Sequence, residues 1–580
     1  MARLSPYFAY KRDGQGKAYL EVYLRGSALL RLAATNKGTA FTERERRELG
    51  LEGMLPPQVG TLSQQVARLY RGYCRQTDDI AKYQYLRAMQ ERSEVRFYAM
   101  LQQHLEEMMP IVYTPTVGKA VQQYSDLYQA PRGITVSSKN IDHIDQILVD
   151  YPLYDVRMIV ATDSSAILGI GDQGHGGLAI CIGKLALYTA GAGVSPFHTM
   201  PVNIDVGTDR GELLEDPDYL GIHEPRLRGD AYFELVDRFV EAVGRRWPKA
   251  IIQWEDFAKD VAFKVLERYK DRIASFNDDI QGTGAVTLAG LIAACKLKGE
   301  SLTAQTIVVV GAGAGGVGVA KAIQEGLVHE GLSRAQARRQ MFVMDAAGLV
   351  VEGVSAHGYQ LPVSQFPETY ADWSISGEIP SLWEVIEQAG PTVLLGLTGV
   401  SGLFSEPIVR HMAQNTPRPI IFPLSNPTSN CEAIPLDLVA WTEGRAIVAT
   451  GSPFEDVEYA GQRHLVGQGN NAFVFPGIGF AAILGRCRRI SDAMIIESAF
   501  ALAEYTEQHY LARGRIFPPI NDLREVSVNV ASRVLAVALR EGSARRTDLA
   551  DEDLAGLSAF VRSRMWRPEY LPYVLAEDAL

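Results

Sequence analysis

The sequence predicts an α/β fold with a helical N-terminal domain, a central parallel-sheet domain and a doubly wound, Rossmann-type domain. Two observations support this prediction. From about Gly133, short apolar runs alternate with helix-length segments and glycine-rich turns, which is the pattern of parallel strands joined by helices. The chain has 580 residues, too many for one hydrophobic core, and typical domain sizes favour three or four domains.

The first 130 residues are predicted to form the helical domain. Residues 1–33 carry short apolar alternations around glycines, which predict a hairpin or an interface arm. From Leu62 to Met109 the apolar residues recur at helical spacing. We expect Pro110 to end that stretch, because proline lacks the N–H group that a helix interior needs.

The remaining boundaries follow from the strand candidates. We predict a central domain over residues 131–277, completed by residues 471–540, with a strand in VRMIVAT (156–162). Residues 278–470 show the doubly wound pattern, and residues 541–580 are predicted to be a charged C-terminal tail. The strand candidates of the doubly wound block are TIVVVG (306–311), MFVMD (341–345), TVLLGL (392–397), PIIFPLSN (419–426) and AIVATG (446–451).

Charge and cysteine usage exclude several classes of protein. A net charge of -11 gives no electrostatic reason to expect a nucleic acid or an anionic membrane as partner. The N-terminus lacks an apolar signal core, and no stretch of about 20 uncharged apolar residues follows, so we expect a cytoplasmic protein without a membrane span. A zinc site or disulfide framework is not expected from five scattered cysteines, Cys74, Cys181, Cys295, Cys431 and Cys487.

A dinucleotide site is predicted where the first strand of the doubly wound block ends. The segment TIVVVGAGAGGVGVA (306–320) has the order strand, tight turn and helix, and Gly311, Gly313 and Gly316 match G-x-G-x-x-G. The first glycine permits the turn, the second lets the backbone approach a pyrophosphate, and the helix N-terminus offers free N–H groups. The alternative is a glycine-rich turn that binds no ligand.

The following strand indicates which dinucleotide is bound. It ends in Asp345, whose carboxylate can accept hydrogen bonds from ribose hydroxyls and repels a 2′-phosphate. The next residues, Ala346 and Ala347, offer no cation. The sequence therefore favours NAD over NADP.

Two pairs of adjacent acids predict a divalent metal site. Glu255 and Asp256 directly follow an apolar run, and Asp278 and Asp279 stand at the start of a predicted helix. Oxygen-only ligands suit Mg2+ or Mn2+ better than zinc. The alternative is that these acids are helix caps or solvated surface residues.

Further polar residues are candidates for proton transfer and substrate binding. Lys184 lies in an apolar, small-residue stretch, where desolvation would lower its pKa and make it a usable base, unless it reaches the surface. Tyr113 lies in the extended segment IVYTPTVG, although packing is the commoner role of a tyrosine. Asn426 follows a strand at the expected ligand edge, and Asn470 and Asn471 form a second amide cluster. Each of the three could be a turn residue only.

Taken together, these segments resemble the malic enzyme family, and the match extends over most of the chain. The motifs occur in the family's order: NKGTAFTERERRELGLEGMLPP (36–57), IVYTPTVG (111–118), ILGIGDQG (167–174), IGKLALYTAGAG (182–193), VNIDVGT (202–208), WEDF (254–257), FNDDIQGTGA (276–285), GAGAGG (311–316), LSNPT (424–428) and GQGNNAFVFPG (467–477).

The resemblance implies a role for each candidate. Tyr113 would be the general acid, Lys184 the general base, and Asp278 would assist the lysine. Mg2+ or Mn2+ would be held by Glu255, Asp256 and Asp279. The substrate would be contacted by Asn426, Asn470 and Asn471, and NAD would be held by Gly311, Ala312, Gly313 and Ala314. The implied reaction is oxidative decarboxylation of malate, a small dicarboxylate, to pyruvate and CO2 in a homodimer or homotetramer.

One segment departs from the family pattern. The family shows T-D-G-E-R-I-L-G, and here Ser164, Ser165 and Ala166 stand in place of Gly, Glu and Arg. That arginine binds the substrate carboxylate in the family, and an alanine cannot replace its charged fork. Another cation could compensate, and Arg210 and His175 are two unusual residues in nearby motifs.

The departure leaves other reactions open. Malolactic enzymes, a branch of the family, also lack that arginine and convert malate to lactate and CO2 with NAD kept bound. The motifs VNIDVGT and GDQG favour the ordinary malic enzymes. Oxaloacetate decarboxylation and a catalytically weak regulatory homologue are further alternatives, but intact Tyr113, Lys184 and metal acids argue against a purely regulatory protein or a module that only senses NAD.

Overall fold

The computed structural model describes residues 3–579 and divides into two compact units. The first unit contains Met1–Ser165, Asp172–Ile252 and Ser563–Leu580. The second contains Ala166–Gly171 and Gln253–Arg562. The three predicted domains and the predicted C-terminal tail, with boundaries after residues 130, 277, 470 and 540, stay a prediction.

The strands are numbered in chain order. They are β1 (Phe8–Arg12), β2 (Ala18–Val22), β3 (Ile134–Ser137), β4 (Met158–Thr162), β5 (Thr199–Asp205), β6 (Ile251–Trp254), β7 (Ser275–Asn277), β8 (Ile307–Val310), β9 (Met341–Asp345), β10 (Gly348–Leu349), β11 (Val393–Gly396), β12 (Ile420–Pro423), β13 (Ile447–Thr450), β14 (Val457–Tyr459), β15 (Gln462–His464), β16 (Val466–Gln468) and β17 (Tyr573–Leu575).

The α-helices are numbered in the same way. They are α1 (Ser27–Arg31), α2 (Glu43–Glu48), α3 (Leu62–Tyr73), α4 (Asp79–Gln90), α5 (Glu94–Gln103), α6 (Leu105–Val112), α7 (Thr116–Gln122), α8 (Tyr124–Leu127), α9 (Ile144–Asp150), α10 (Leu178–Ala190), α11 (Gly211–Glu215), α12 (Gly229–Arg246), α13 (Lys259–Tyr269), α14 (Thr283–Lys298), α15 (Ala314–His329), α16 (Arg334–Arg339), α17 (Leu382–Ala389), α18 (Glu406–Asn415), α19 (Pro435–Trp441), α20 (Phe475–Gly485), α21 (Asp492–His509), α22 (Leu523–Arg540) and α23 (Leu554–Arg564).

The first unit begins and ends in one small sheet of order β1-β2-β17. The predicted N-terminal hairpin is present, because β1 and β2 pair antiparallel, and β17 pairs with β2 in parallel. A buried ion pair supports this junction. Lys37 Nζ lies 2.5 Å from Glu45 Oε1, and the same carboxylate oxygen accepts the N–H of Tyr573 at 3.0 Å.

The helical stretch predicted between residues 62 and 109 is present as α3 to α6, but Pro110 does not end it. Pro110 lies inside α6, which starts afresh at Leu105 after the non-helical backbone of His104. Pro110 is the sixth of the eight residues of α6, and its missing N–H removes one backbone hydrogen bond from the helix. The burial of the neighbours Met109 and Ile111 offsets that loss, and the helix continues to Val112.

The larger sheet of the first unit places β5 between β3 and β4, with parallel pairing, and β6 follows next to β4. Helix α10 is buried along its whole length and packs on β4 and β5. The boundary between the two units falls inside β6, between Ile252 and Gln253, and the chain enters the second unit there.

The second unit is built on a seven-stranded sheet of order β10-β9-β8-β11-β12-β13-β16. In this spatial order, neighbouring strands from β9 across the sheet to β16 pair in parallel. The short β10 pairs antiparallel with β9. The chain runs outwards in one direction from β8 to β9 and in the other from β11 onwards, which is the doubly wound arrangement. All five strands predicted in this block are present. The predicted α/β fold class is therefore confirmed.

Helix α14 is the apolar core helix of the second unit. Together with the turn before it, the segment Asp278–Lys298 is long and apolar enough to cross a membrane by length and composition. An 18-residue stretch of that segment is 78% buried, and α14 packs against α15 and α21. Burial on all sides accounts for an apolar surface all round the helix.

Candidate active site

Two predicted proton-transfer residues lie together in the first unit. Lys184 is on α10 and 1% exposed, and Tyr113 follows the last residue of α6 and is 6% exposed. The Lys184 Nζ atom lies 5.2 Å from the centre of the Tyr113 ring, within the range of a cation–π contact. The lysine does not reach the surface, so the structure agrees with the desolvated alternative considered from the sequence.

The segment that departs from the family pattern, residues 164–166, is held to the first unit by hydrogen bonds of Ser164. Ser164 stands where the family has glycine, and its φ of 59° lies in the left-handed region that glycine prefers. Its Oγ donates to Asn203 Oδ1 at 2.9 Å, which holds this conformation. Farther along, Arg226 forms a bidentate pair with Asp172, with Nη2–Oδ1 at 2.6 Å and Nε–Oδ2 at 2.9 Å.

The two residues considered as substitutes for the family arginine, Arg210 and His175, both have protein partners. Arg210 Nη2 lies 2.7 Å from Glu212 Oε2, and Arg210 Nη1 donates to Gln173 Oε1 at 2.9 Å. His175 Nε2 lies 2.9 Å from Thr135 Oγ1, and burial lowers the pKa of His175. Arg210 is therefore neutralised locally, and His175 is uncharged at neutral pH.

Three of the four predicted acids converge in the second unit. Glu255 and Asp256 follow β6, and Asp279 follows β7. One ligand oxygen from each of the three lies within 4.8 Å of the other two. Glu255 and Asp256 are buried and Asp279 is half-buried. Such a set of hard oxygen ligands fits Mg2+ or Mn2+.

The backbone around Asp256 holds the cluster in shape. Asp256 has a φ of 57°, and its N–H donates to Asp279 Oδ2 at 2.8 Å. The Ala166 N–H donates to the Asp256 carbonyl at 3.0 Å, and the Leu168 N–H lies 3.3 Å from Asp256 Oδ1. The position where the family carries arginine is therefore bonded directly to the backbone of a metal-ligand candidate.

The fourth acid, Asp278, has a different environment. It is fully buried, and its Oδ2 accepts a hydrogen bond from Asn471 Nδ2 at 2.9 Å. Asn471 Nδ2 also lies 3.0 Å from Thr283 Oγ1. The segment Asp278–Gly282 forms a π-helical turn that separates the directions of two consecutive acids.

Sequence reasoning missed Gln253. Its Nε2 donates to Glu255 Oε2 at 2.8 Å and orients that carboxylate. A signal was present, because residues two apart on a strand such as β6 point to the same face.

The three substrate-binding candidates have local partners. Asn426 Oδ1 accepts a hydrogen bond from Ser452 Oγ. Asn470 Oδ1 caps the short helix Asn471–Phe473 by accepting the Ala472 N–H at 2.9 Å, which fits the turn role considered from the sequence. Asn471 supports Asp278, as described above.

The glycine-rich turn fits a dinucleotide. A Cβ added to Gly316 would lie 1.6 Å from the Gly311 carbonyl oxygen, and one added to Gly311 would lie 2.3 Å from the Leu397 carbonyl oxygen. These two glycines allow close backbone approach. Gly313 is the N-cap residue of α15, and a Cβ added to it would meet no atom within 4 Å. The open space beside a helix N-terminus is where a pyrophosphate can bind.

Asp345 lies at the end of β9, as predicted. Its Oδ1 accepts the Ala346 N–H at 2.8 Å, and its Oδ2 accepts a bond from Gln360 Nε2 at 2.8 Å. Gln360 Nε2 also lies 3.2 Å from the carbonyl oxygen of Ala312 in the glycine-rich turn. Gln360 thus joins the ribose-binding candidate to the turn. Ala346 and Ala347 are exposed and bring no cation.

Comparison with known proteins agrees with this geometry. The family model described as malic enzyme, N-terminal domain, matches residues 90–270, and the model described as malic enzyme, NAD binding domain, matches residues 280–539. The NAD-dependent malic enzyme of Aeromonas hydrophila subsp. hydrophila is 44% identical over 564 residues, covering 97% of this chain and 99% of that protein. The NAD-dependent malic enzyme of Shewanella halifaxensis is 45% identical over 549 residues, covering 94% and 97%.

Solved structures share the fold. The crystal structure of Entamoeba histolytica malic enzyme matches with a TM-score of 0.56 at 21% identity, covering 89% of this chain and 90% of that one. The malic enzyme of Pyrococcus horikoshii Ot3 matches with a TM-score of 0.50 at 23% identity, covering 79% and 90%. Since the family models match more than half of the chain and the relatives align with almost all of it, this chain belongs to the malic enzyme family.

Proposed function

We propose that this chain is an NAD-dependent malic enzyme, which oxidises malate to pyruvate and CO2 as NAD is reduced. The observation that carries the proposal is the convergence of Glu255, Asp256 and Asp279, which leave two different strands and bring three carboxylates within 4.8 Å. The relatives named above carry the same activity in their names, and they align with nearly the whole chain.

The two implied cofactors have fitting residues. Mg2+ or Mn2+ would be held by Glu255, Asp256 and Asp279, and when bound it supplies Lewis-acid stabilisation of the negative charge that develops during decarboxylation. NAD would be held by Gly311, Ala312, Gly313 and Ala314, with Asp345 accepting from the ribose. NAD supplies the hydride acceptor.

Proton transfer is assigned to the buried pair of the first unit. Lys184 takes the proton of the C2 hydroxyl as the substrate is oxidised, and Tyr113 gives a proton to C3 after CO2 has left. Each general acid–base step is worth about 10²–10⁴-fold in rate. The 5.2 Å between Lys184 Nζ and the Tyr113 ring supports a shared role for the two groups.

Asp278 and three amides complete the assignment. We assign Asp278 to assist the lysine, with its carboxylate held by Asn471 at 2.9 Å. Asn426, Asn470 and Asn471 are assigned to substrate contact.

Ala166 is the observation that favours a second candidate. The side chain that binds the substrate carboxylate in the family is missing, and Arg210 and His175 do not supply a free cation. A malolactic reaction, which yields lactate without net NADH, is the second candidate for this reason.

One assay separates the candidates. The protein is incubated with malate, NAD and Mn2+, and NADH, pyruvate and lactate are measured. We expect NADH and pyruvate in equal amounts. Lactate without net NADH would replace the proposal with the malolactic reaction, and absence of all three products would overturn both.

A matched pair of lysine variants tests the proposed base. We expect Lys184→Ala to lose most turnover, and Lys139→Ala, at an exposed lysine of the same unit, to keep it. Near-normal malate turnover by a folded Lys184→Ala protein would rule out the proposed role.

Assembly and location complete the proposal. From the family resemblance we propose a homodimer or homotetramer, and from the five scattered, unpaired cysteines a reducing, cytoplasmic location. Light scattering on the eluting protein tests the assembly, since the subunit mass is 63.7 kDa. A monomer across the working concentration range would contradict it.

A further inference from the structure

A large cleft lies within the second unit, and none of the site residues named above lines it. Its volume is about 1500 Å³. Its walls come from helices α13, α15 and α16, from the segment 358–366, and from the start of α21. Ligand pockets for small molecules are commonly about 300–1,000 Å³, so this cleft has room for a nucleotide-sized molecule.

The cleft is basic although the chain as a whole carries a net charge of -11. Seven basic and four acidic side chains line it. A local excess of positive charge on an acidic protein attracts anions to that place in preference to the rest of the surface. The basic residues are Lys264, Arg268, Lys270, Lys321, Arg334, Arg338 and Arg489, and the acidic residues are Glu267, Asp271, Glu325 and Asp492.

Three of the cations are neutralised by acids. Salt bridges join Lys270 to Glu267, Arg334 to Glu325 and Arg338 to Glu352. Within residues 3–579, no ion pair closer than 4.0 Å is present for three other cations, and these come from three different segments of the wall. They are Lys264 on α13, Lys321 on α15 and Arg489 before α21.

Lys321 is the most unusual of these cations. It is half-buried, and its Nζ lies 4.9 Å from the centre of the Phe263 ring. Phe263 in turn stacks on Tyr359, with ring centres 5.1 Å apart. Burial lowers the pKa of Lys321, and the acids Asp492 and Glu267 act on it only at longer range. An anion bound in the cleft would supply the missing counter-charge.

We infer that this cleft binds a small molecule carrying two or more phosphate groups, with Lys321 as its principal contact. A single phosphate group carries close to two negative charges at neutral pH and accepts hydrogen bonds through three oxygens. Three unneutralised cations around one cleft match a chain of phosphates better than a single carboxylate. The paired aromatic rings beside Lys321 offer a surface for a base or another flat group.

The position of the cleft indicates a regulatory role, and this part rests on the proposed function. Helix α13 begins three residues after Asp256, and α15 begins directly after Gly313. Lys321 lies about two turns along α15 from its first residue. A ligand that bridges α13 and α15 touches the helix that follows the predicted metal ligands and the helix that follows the glycine-rich turn. By linkage, such a ligand changes the affinity for metal or NAD, and they change its own affinity by the same factor.

Calorimetry with inorganic tripolyphosphate tests the binding site. The full-length protein is titrated with saturating NAD and without divalent cation, so that the cofactor turn is filled and the probe is not chelated. We expect saturable binding, weakened about tenfold in Lys321→Gln and in Arg489→Gln, because each substitution removes a hydrogen bond between a charged side chain and the probe. Lys139→Gln, at an exposed lysine of the first unit, serves as the control and should bind as the unmodified chain does.

The outcomes decide the inference independently of the proposed reaction. Absence of binding in this titration, or equal binding by folded Lys321→Gln protein, would overturn it. Tighter binding of a nucleoside triphosphate than of tripolyphosphate would identify the flat group as part of the ligand, and equal binding would identify the phosphates alone.

A kinetic measurement separates regulation from simple binding. With Mg2+ in excess over tripolyphosphate, we expect the KM for NAD or for Mg2+ to change in the unmodified chain and not in Lys321→Gln, whose turnover without the probe stays normal. Binding without any kinetic change would overturn the regulatory role and leave the site. If no malate turnover occurs in any variant, the proposed function fails while the calorimetric result stands.

Discussion

The acid cluster and the glycine-rich turn of the second unit both lie where strands end, yet they prepare for their ligands in opposite ways. The acid cluster uses side chains, and three buried or half-buried carboxylates come within 4.8 Å of one another. The turn removes side chains, so that backbone atoms approach one another closely and the space beside Gly313 stays open. The first site depends on charge and the second on the absence of a Cβ atom.

This difference decides how each site tolerates change. A substitution in the cluster alters a charge and leaves the backbone in place. We therefore expect such a variant to lose activity while it still folds. A substitution in the turn introduces atoms into a filled or an open space, and the result depends on which of the two it is.

The largest expected effect is in the acid cluster. Asp279→Asn keeps the shape of the side chain and removes one negative charge. We expect kcat to fall about 10²–10³-fold, because a bound metal supplies several kcal/mol of charge stabilisation. The measurement is malate turnover against Mn2+ concentration, with Asp260→Asn, at an exposed acid of α13, as control. Unchanged Mn2+ dependence in the Asp279 variant would remove it from the metal site.

Two glycine variants distinguish filled space from open space. Gly316→Ala puts a Cβ within 1.6 Å of the Gly311 oxygen, so the turn must shift. We expect a lower Tm and a loss of about 10²-fold in kcat/KM for NAD, since displacements near 1 Å have effects of that size. Gly313→Ala meets no protein atom, so its Tm should stay unchanged while the KM for NAD rises about tenfold. Equal effects of both variants on Tm would contradict the contrast.

A smaller effect is expected from the residue that orients a metal acid. Gln253→Leu removes the bond to Glu255 Oε2. Support of this kind is typically worth 10–100-fold in metal affinity, and we expect about tenfold weaker Mn2+ binding with kcat at saturating Mn2+ nearly normal. Mn2+ titration monitored by electron paramagnetic resonance gives the affinity. A fall in kcat without a change in affinity would assign Gln253 to the substrate instead.

The smallest expected effect is a gain. Ala166→Arg restores the charge that the family carries beside the acid cluster. We expect the KM for malate to fall about tenfold, which is the lower end of the ~1.5–3 kcal/mol that a hydrogen bond to a charged group provides. Ala166→Gln, of similar length and no charge, is the control. If the folded arginine variant shows no change in KM, substrate recognition in this chain does not use that position.

The sequence predicted the regular parts of the fold well and the local ones less well. The strands of the doubly wound block were visible because buried parallel strands are continuous apolar runs. The continuation of α6 through Pro110 was not predicted, because it depends on where the preceding helix breaks and on burial by distant residues. Propensity is a weak guide in such places.

For the candidate site, the sequence named residues but not their arrangement. Adjacent acids in the sequence gave no sign that Asp279 joins the cluster while Asp278 turns to Asn471, because a π-helical turn separates them. The contact between Ala166 and Asp256 joins segments about 90 residues apart, and no local pattern encodes it. Resemblance to the family supplied roles that the residues alone left open.

The pairing of β17 with β2 has a consequence for the order in which the chain is made. The strand β17, which completes the sheet of β1 and β2, is synthesised only after the whole of the second unit. Until then one edge of β2 has no partner strand, and exposed strand edges are sites of unwanted association between nascent chains. Removal of β17 would leave that edge of β2 without its partner strand in the finished chain.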